Sequence, residues 1–178
     1  LDGQGEFTGH YYGIAGPVGN ARDATTSRRY QYKALYSLEG PIGLQGAFSP
    51  QKNGEFISKQ LRDVKDGVSN TLGIGEISRW EVVDETKPPS RPGWAFGAAY
   101  DKANKLNQLF AIKTISRPIN SVSKRLNDMP FGSNHPGGTQ FAFLDGSVHY
   151  ISQNISVDVL KTYASINGRE KILNLDTY

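Results

Sequence analysis

The sequence contains no cysteine. This absence excludes disulfides, thiolate zinc sites, iron–sulfur clusters and cysteine nucleophiles. Any metal or acid–base chemistry must therefore use carboxylates and the three histidines, His10, His135 and His149. The absence does not identify a compartment, because a domain of 178 residues can bury enough surface to fold without disulfides.

An excess of one charge is also lacking, since 20 Lys and Arg oppose 17 Asp and Glu and leave a net charge of +3. So small a surplus argues against nucleic acid as a partner. No apolar run approaches the ~20 residues that a membrane-spanning helix needs. The chain opens at Leu1 rather than Met, so we expect that its N-terminus has been cut or processed.

Glycine, by contrast, is plentiful. The 20 glycines and 9 prolines predict many tight turns and few long helices. Hydrophobic residues make up 37% of the chain, which is typical of a globular protein, and the length suits a single domain over residues 1–178.

Local patterns predict short strands and at most two helices. A strand is expected over residues 68–77, where Gly73 and Gly75 indicate a bulge or a close backbone approach. A helix is expected from the cap residue Ser156 to about Asn167. Together the patterns predict an α+β fold with a mostly antiparallel β-sheet, few short helices and long Gly/Pro-rich loops.

The clearest local prediction is a β-hairpin around Asp145-Gly146. Alternating apolar and polar residues flank this pair, as is typical of a two-residue type I′ turn with positive φ at both residues. Such a turn would set Phe143 opposite Val148 on a core face. His149 would then lie opposite Ala142 as a partly exposed residue of the half-polar face.

Two segments make the sequence similar to a known family. In the segment 131–148, His135 precedes Asp145-Gly146 with nine residues between them. The segment 61–76 contains Asp-Gly-Val-Ser-Asn-Thr and ends in Gly-Glu, and residues 12–17 add a weaker third match. The chain resembles the bacterial prepilin-type, processing-associated H-x9-DG family over most of residues 10–170.

The resemblance implies a pseudopilin-like protein of the type II secretion and type IV pilin class. This chain would be its pilin-like head, without the N-terminal membrane and filament helix. The implied role is structural or in assembly, with no catalytic residues and with other pilin-like subunits or secretion machinery as partners. The implied location is the cell envelope, periplasmic or extracellular, with an inner-membrane anchor before assembly. The family motif corresponds here to Asp66, Gly67, Asn70, Glu76, His135, Asp145 and Gly146.

Spacing argues against one reactive site formed by His135 and Asp145. The strand between them would separate its ends by roughly 17–20 Å. Proton transfer requires a distance of ~2.6–3.2 Å. We therefore interpret both ends of the motif as structural. Without its helix, the head is expected to be monomeric or weakly associating.

Metal binding has little support in the sequence. The histidines lack zinc-site spacing. The oxygen-bearing side chains of Asp63, Asp66 and Asn70 are weak candidates for calcium, but they do not form an EF-hand loop. The alternative is that these residues form turns, and no cofactor is expected.

Two other functions remain open. A secreted module could bind glycan or peptide through the Pro-rich loop between Trp80 and Trp94, although both tryptophans could instead anchor this loop to the core. A hydrolase is less favoured because no Gly-x-Ser-x-Gly motif is present. Loss of a measured activity on substitution of His135 by alanine would support that hypothesis.

Overall fold

The structure, a computed structural model, describes residues 9–22, 26–50, 58–78, 98–100, 107–123 and 125–168. Short strands dominate it, and they are β1 (Tyr11–Pro17), β2 (Gly19–Arg22), β3 (Arg29–Tyr32), β4 (Ala34–Ser37), β5 (Gly40–Gly43), β6 (Leu72–Glu76), β7 (Ala98–Tyr100), β8 (Asn107–Leu109), β9 (Ile112–Ile115), β10 (Gly138–Phe143) and β11 (Val148–Ser152). The helix α1 spans Val157–Tyr163, and two 3₁₀ turns span Leu61–Asp63 and Val68–Asn70. This architecture confirms the predicted α+β fold.

Five strands form the main sheet in the order β11-β10-β6-β1-β9. Its strand pairs are antiparallel except β1 with β9, which run parallel. The pairs β2–β3, β4–β5 and β7–β8 form three further antiparallel sheets of two strands each. Among the described residues, no helix is both long and apolar enough to span a membrane.

The largest apolar core lies between one face of the main sheet and α1. We call this the inner face. Tyr12, Phe141 and Phe143 of the sheet share a buried cluster with Leu160 and Tyr163 of the helix. The rings of Phe143 and Tyr163 meet edge to face, with their centroids 5.8 Å apart. Burial of these large side chains fixes which face of β10 is turned inward.

The helix begins where the sequence predicts but ends earlier. The Ser156 hydroxyl accepts a hydrogen bond from the backbone N–H of Asp158 at 3.3 Å, as expected of an N-cap. The helix stops at Tyr163 rather than near Asn167. The chain turns there because the N–H of Ile166 donates to the carbonyl of Gln45 at 2.8 Å.

The predicted hairpin forms, but its turn type and register were wrong. Of the two predicted turn residues, Asp145 and Gly146, only Gly146 has positive φ, at 88°, so the turn is not type I′. The N–H of Gly146 donates to Phe143 O at 3.0 Å, and the N–H of Phe143 donates to Ser147 O at 2.9 Å. These bonds define a three-residue loop with a glycine bulge. Val148 consequently pairs with Ala142 rather than Phe143 and is 62% exposed.

The same register shift changes the position of His149. This residue is exposed, as predicted, but it pairs with Phe141 rather than with Ala142. Its ring contacts the edge of the Phe143 ring at a centroid distance of 5.1 Å. The histidine therefore lies on the phenylalanine side of the hairpin, opposite to the expected side.

Candidate functional site

The two motif segments lie side by side in the main sheet. Strand β6, from the first segment, pairs antiparallel with β10, from the second, so that Gly75 lies opposite Phe141. Beyond the end of β10, the N–H of Leu144 donates to the carbonyl of Thr71 at 2.9 Å. The motif residues thus gather in two polar clusters, one near each end of β10.

The first cluster surrounds Glu76 at the last position of β6. Its carboxylate is buried, and its Oε1 accepts a hydrogen bond from the Ser78 hydroxyl at 2.6 Å. Its Oε2 accepts from the Thr139 hydroxyl at 3.2 Å and from the N–H of Gln140 at 3.4 Å. The Nε2 of His135 lies 3.8 Å from Oε1. Glu76 therefore joins β6 to the beginning of β10 and to the loop before it.

Hydrogen bonds hold the loop that carries His135. The Ser133 hydroxyl donates to the carbonyl of Gly138 at 2.8 Å and accepts from the N–H of His135 at 3.1 Å. The hydroxyl of Tyr150 donates to the carbonyl of Pro136. The histidine side chain itself stays 57% exposed. The backbone of this loop is consequently fixed while the imidazole remains accessible.

The order of contacts in this cluster differs from that of a nucleophilic triad. In a triad, a histidine stands between the hydroxyl and the carboxylate. Here Glu76 stands in the middle, because Ser78 donates to its carboxylate and His135 approaches the same oxygen from outside. This geometry favours a network that stabilises the fold, in which a buried carboxylate is satisfied by several donors.

The second cluster lies at the hairpin turn around Asp145. Its Oδ1 accepts from the Ser147 hydroxyl at 2.7 Å and from the N–H of Ser147 at 2.9 Å. These two hydrogen bonds, a weaker one from Ser69 and the nearby His149 lower the pKa of the Asp145 carboxyl to about 2. The carboxylate is thus held ionised as the acceptor that closes the turn, with Gly146 in the left-handed region beside it.

The structure places His135 and Asp145 in different clusters. His135 precedes β10 and contacts Glu76, whereas Asp145 follows β10 and contacts Ser147. The sequence predicted this separation. It did not predict the contact between Glu76 and His135, because nothing in two segments so distant in the chain indicates that they meet.

The three calcium candidates each make a local or loop-closing hydrogen bond. Asp63 Oδ2 accepts from the N–H of Gln60 at 2.9 Å, as part of a capping box. Asp66 Oδ2 accepts from the N–H of Gly168 at 2.7 Å, and Asn70 Nδ2 donates to the carbonyl of Asp66 at 3.2 Å. These contacts favour the turn-forming alternative. Gly67, with φ of 91°, supplies the left-handed residue of this turn.

The other residues considered from the sequence are the three histidines, as metal ligands, and the two tryptophans, as a binding surface. Within the part of the chain that the structure describes, no three His, Cys, Asp or Glu side chains lie close enough to hold a metal ion. His10, His135 and His149 thus share no metal site there. Trp80 and Trp94 lie outside the described residues, so the glycan- or peptide-binding alternative stays a prediction.

Sequence reasoning missed a buried lysine. Lys113 in β9 has no exposed surface, and its ammonium donates to the carbonyl of Leu109 and lies 5.4 Å from the centroid of the Tyr12 ring. Burial lowers the pKa of Lys113 to about 7. The available signal was a single charged residue inside a short, otherwise uncharged strand.

A second lysine that sequence reasoning missed borders an open groove of about 1010 Å³ between the β3–β4 region and the 58–63 segment. The ammonium of Lys59 donates to the carbonyl of Gly46 and to the hydroxyl of Ser49. Burial is the main cause that lowers the pKa of Lys59 to about 8, and Asp63 opposes it. Because the Ser49 hydroxyl also donates to Gly46 O at 3.0 Å, this lysine is best explained as an anchor of the 46–49 turn.

The face of the main sheet opposite α1 carries exposed apolar side chains. We call it the outer face. Ala142 pairs with Val148 on one side and with Ile74 on the other, so these residues form a row across three strands. Ile74 is 41% exposed. Tyr150 lies two positions after Val148 in β11 and is 51% exposed. Tyr11 lies two positions before Gly13, the partner of Ile74 in β1, and is 61% exposed. The outer face therefore exposes apolar and aromatic side chains, with the buried Glu76 opposite Tyr11.

Comparison with known proteins identifies one family. No curated protein and no solved structure matches the chain. Residues 8–158 match the family model SBP_bac_10, described as "Protein of unknown function (DUF1559)". This family is associated with prepilin-like H-x9-DG proteins and indicates a secreted or envelope-associated protein. Since the match covers most of the sequence, including both motif segments and the hairpin, the chain belongs to the DUF1559 family.

Proposed function

We propose that this chain is the globular head of a pseudopilin-like protein of the cell envelope and that it has a structural or assembly role. It would act through its surfaces rather than through a catalytic centre. Its partners would be other pilin-like subunits or components of the secretion machinery. It would lie in the periplasm or outside the cell, and it would be anchored in the inner membrane before assembly.

The observation that carries this proposal is the outer face. A sheet that buries one face against a helix and leaves apolar side chains on the other has a surface suited to another protein. Tyr11, Ile74 and Val148 would bury apolar area on contact, and burial of apolar area is the main favourable contribution to protein association. Membership of a family associated with prepilin-like proteins makes an envelope assembly the partner that fits best.

The motif clusters support the same proposal. Glu76 and Asp145 accept hydrogen bonds that stabilise the loop before β10 and the turn after it. Motif residues of this kind maintain the shape of the sheet that displays the outer face. The proposed role consequently requires the motif for folding and the outer face for assembly.

Site-specific photo-crosslinking in cells that make the complete protein would test the proposal. A photoreactive amino acid at Ile74, on the outer face, should give covalent products with pilin-like or secretion proteins in the envelope fraction. The matched control is Leu38, which is 83% exposed in the turn between β4 and β5. Products at Ile74 no stronger than those at Leu38, or a protein confined to the cytoplasmic fraction, would contradict it.

A further inference from the structure

The edge strands of the described sheets differ in whether other parts of the chain cover them. The edge strand β9 is covered, because the N–H of Thr114 donates to the carbonyl of Asn127 at 2.9 Å. Strand β2 is covered by α1, since the N–H of Arg22 donates to Asp158 Oδ2 at 3.0 Å. Covering an edge in this way prevents its backbone groups from pairing with another chain.

The other edge of the main sheet, β11, has no backbone partner on its outward side among the described residues. The bond from the N–H of Phe143 to Ser147 O sets the alternation along the hairpin, so that His149 exchanges backbone hydrogen bonds with β10. The N–H and C=O groups of Val148 and Tyr150 therefore point away from β10. No backbone group among the described residues bonds to them, and both side chains are more than half exposed.

The sequence of β11 also lacks the usual protection of an edge. Natural edge strands carry lysine, proline or a bulge that blocks pairing. Strand β11 reads Val-His-Tyr-Ile-Ser and pairs with β10 in an unbroken register. Within the described part of the chain, it thus presents a regular strand edge whose outward donors and acceptors have no backbone partner.

We propose that β11 pairs with β11 of a second copy of this chain, antiparallel and across a two-fold axis. The axis would pass beside His149, so that this residue faces His149 of the partner subunit. Val148 would then lie opposite the partner's Tyr150, and Tyr150 opposite the partner's Val148. This register uses all the outward backbone groups of both residues, giving four hydrogen bonds, and it is self-complementary, as a two-fold interface requires.

A second copy is the occupant that the edge fits best. The register pairs an apolar side chain with an aromatic one on the outer face, a favourable cross-strand combination. It also extends the row of Ile74, Ala142 and Val148 into the partner's sheet. This inference rests on the strand edge and not on the proposed envelope role, so either can fail without the other.

An interface of four backbone hydrogen bonds and two apolar contacts is small, which agrees with the expectation of a weakly associating head. Covalent trapping of the dimer by a disulfide is therefore a sharper test than a measurement of its binding affinity. The absence of cysteine makes a single introduced thiol the only one in the chain. At a non-hydrogen-bonded antiparallel pair the Cα atoms lie about 4.5 Å apart, within the range that a disulfide spans.

The experiment compares His149→Cys with Val122→Cys in the purified 178-residue chain under mild oxidation. Val122 is 46% exposed and lies outside every strand. We expect the His149→Cys protein to form disulfide dimers at least tenfold faster than the control. Equal rates would overturn the proposal. They are also the result expected if β11 pairs only with a strand of a different protein.

A second variant tests the backbone pairing itself. Val148→Pro in the His149→Cys protein removes one outward N–H and leaves the bonds between β11 and β10 intact. Dimer formation should fall to the control rate, and Val148→Lys, which adds a charge at the edge, should act in the same direction. Circular dichroism establishes that each variant is folded. Unchanged dimer formation in both folded variants would overturn strand pairing.

Discussion

Glu76 and His135 meet at the beginning of β10, with Oε1 of the carboxylate 3.8 Å from Nε2 of the imidazole. The two residues belong to different motif segments, and the carboxylate is buried while the imidazole is mostly exposed. Glu76 also accepts three hydrogen bonds, from Ser78, Thr139 and Gln140. The contact to His135 is consequently the outermost part of a network centred on the glutamate.

Removal of the two partners should therefore have unequal effects. Glu76→Ala leaves buried donors unpaired and should lower the free energy of unfolding by about 2–3 kcal/mol. His135→Ala should lower it by less than about 1 kcal/mol, because the 3.8 Å contact is long and the imidazole is mostly exposed. Urea denaturation measures both. Equal losses in the two variants would show that the pair, and not the network around Glu76, determines the stability of this region.

The ionisation of Asp145 offers a direct measurement at the hairpin turn. Its pKa of about 2 depends first on the Ser147 hydroxyl. Ser147→Ala should raise the pKa of Asp145 toward the ordinary value of an aspartate, as followed by carboxyl chemical shifts in an NMR titration. Ser121→Ala, in a loop where the hydroxyl donates to Pro118 O, is the matched control and should leave this pKa unchanged.

The close approach at Gly75 predicts a steric effect. A Cβ at this position would lie 2.5 Å from the Phe131 ring and 2.6 Å from the Phe141 ring. Gly75→Ala should therefore destabilise the chain by about 1–3 kcal/mol through overpacking of the core, as measured by thermal unfolding.

Gly146 supplies the contrast for Gly75. It has open space around it but a φ of 88°. Gly146→Asn should lower the free energy of unfolding less than Gly146→Val, because asparagine adopts the left-handed region more readily than a β-branched residue. Equal effects of these two substitutions would contradict the glycine-bulge turn.

The buried Lys113 should make stability depend on pH. Its pKa of about 7 in the folded chain lies below the ordinary value of 10.5, so between these values the unfolded chain binds more protons. Stability should consequently rise with pH over this range, by up to about 1.4 kcal/mol per pH unit from this group. Below pH 7 the group is charged in both states and contributes no further slope.

Lys113→Met isolates this contribution. The free energy of unfolding, measured by urea denaturation from pH 7 to pH 9, should rise less steeply in the variant than in the parent chain. Lys59 and Lys161, whose pKa values burial also lowers, are present in both chains and cancel in the comparison. Parallel pH profiles would show that Lys113 stays protonated in the folded chain over this range.

The sequence by itself determined the features that local rules control. Ser156 marked the beginning of α1 because its hydroxyl can accept from the first free N–H groups of a helix. Asp145-Gly146 marked a turn because glycine adopts positive φ without strain. Gly75 indicated a position without room for a side chain, which the rings of Phe131 and Phe141 occupy. The abundance of short strands with turn signals indicated the α+β class.

Only the tertiary structure decided the register of the hairpin. The inward side of β10 depends on how Phe141 and Phe143 pack against the helix and on the pairing of β10 with β6. The end of α1 likewise depends on a bond from Ile166 to the distant Gln45. The contact between Glu76 and His135 and the burial of Lys113 follow from the same cause. They arise from packing between segments far apart in the chain, and local conformational preferences carry no information about such packing.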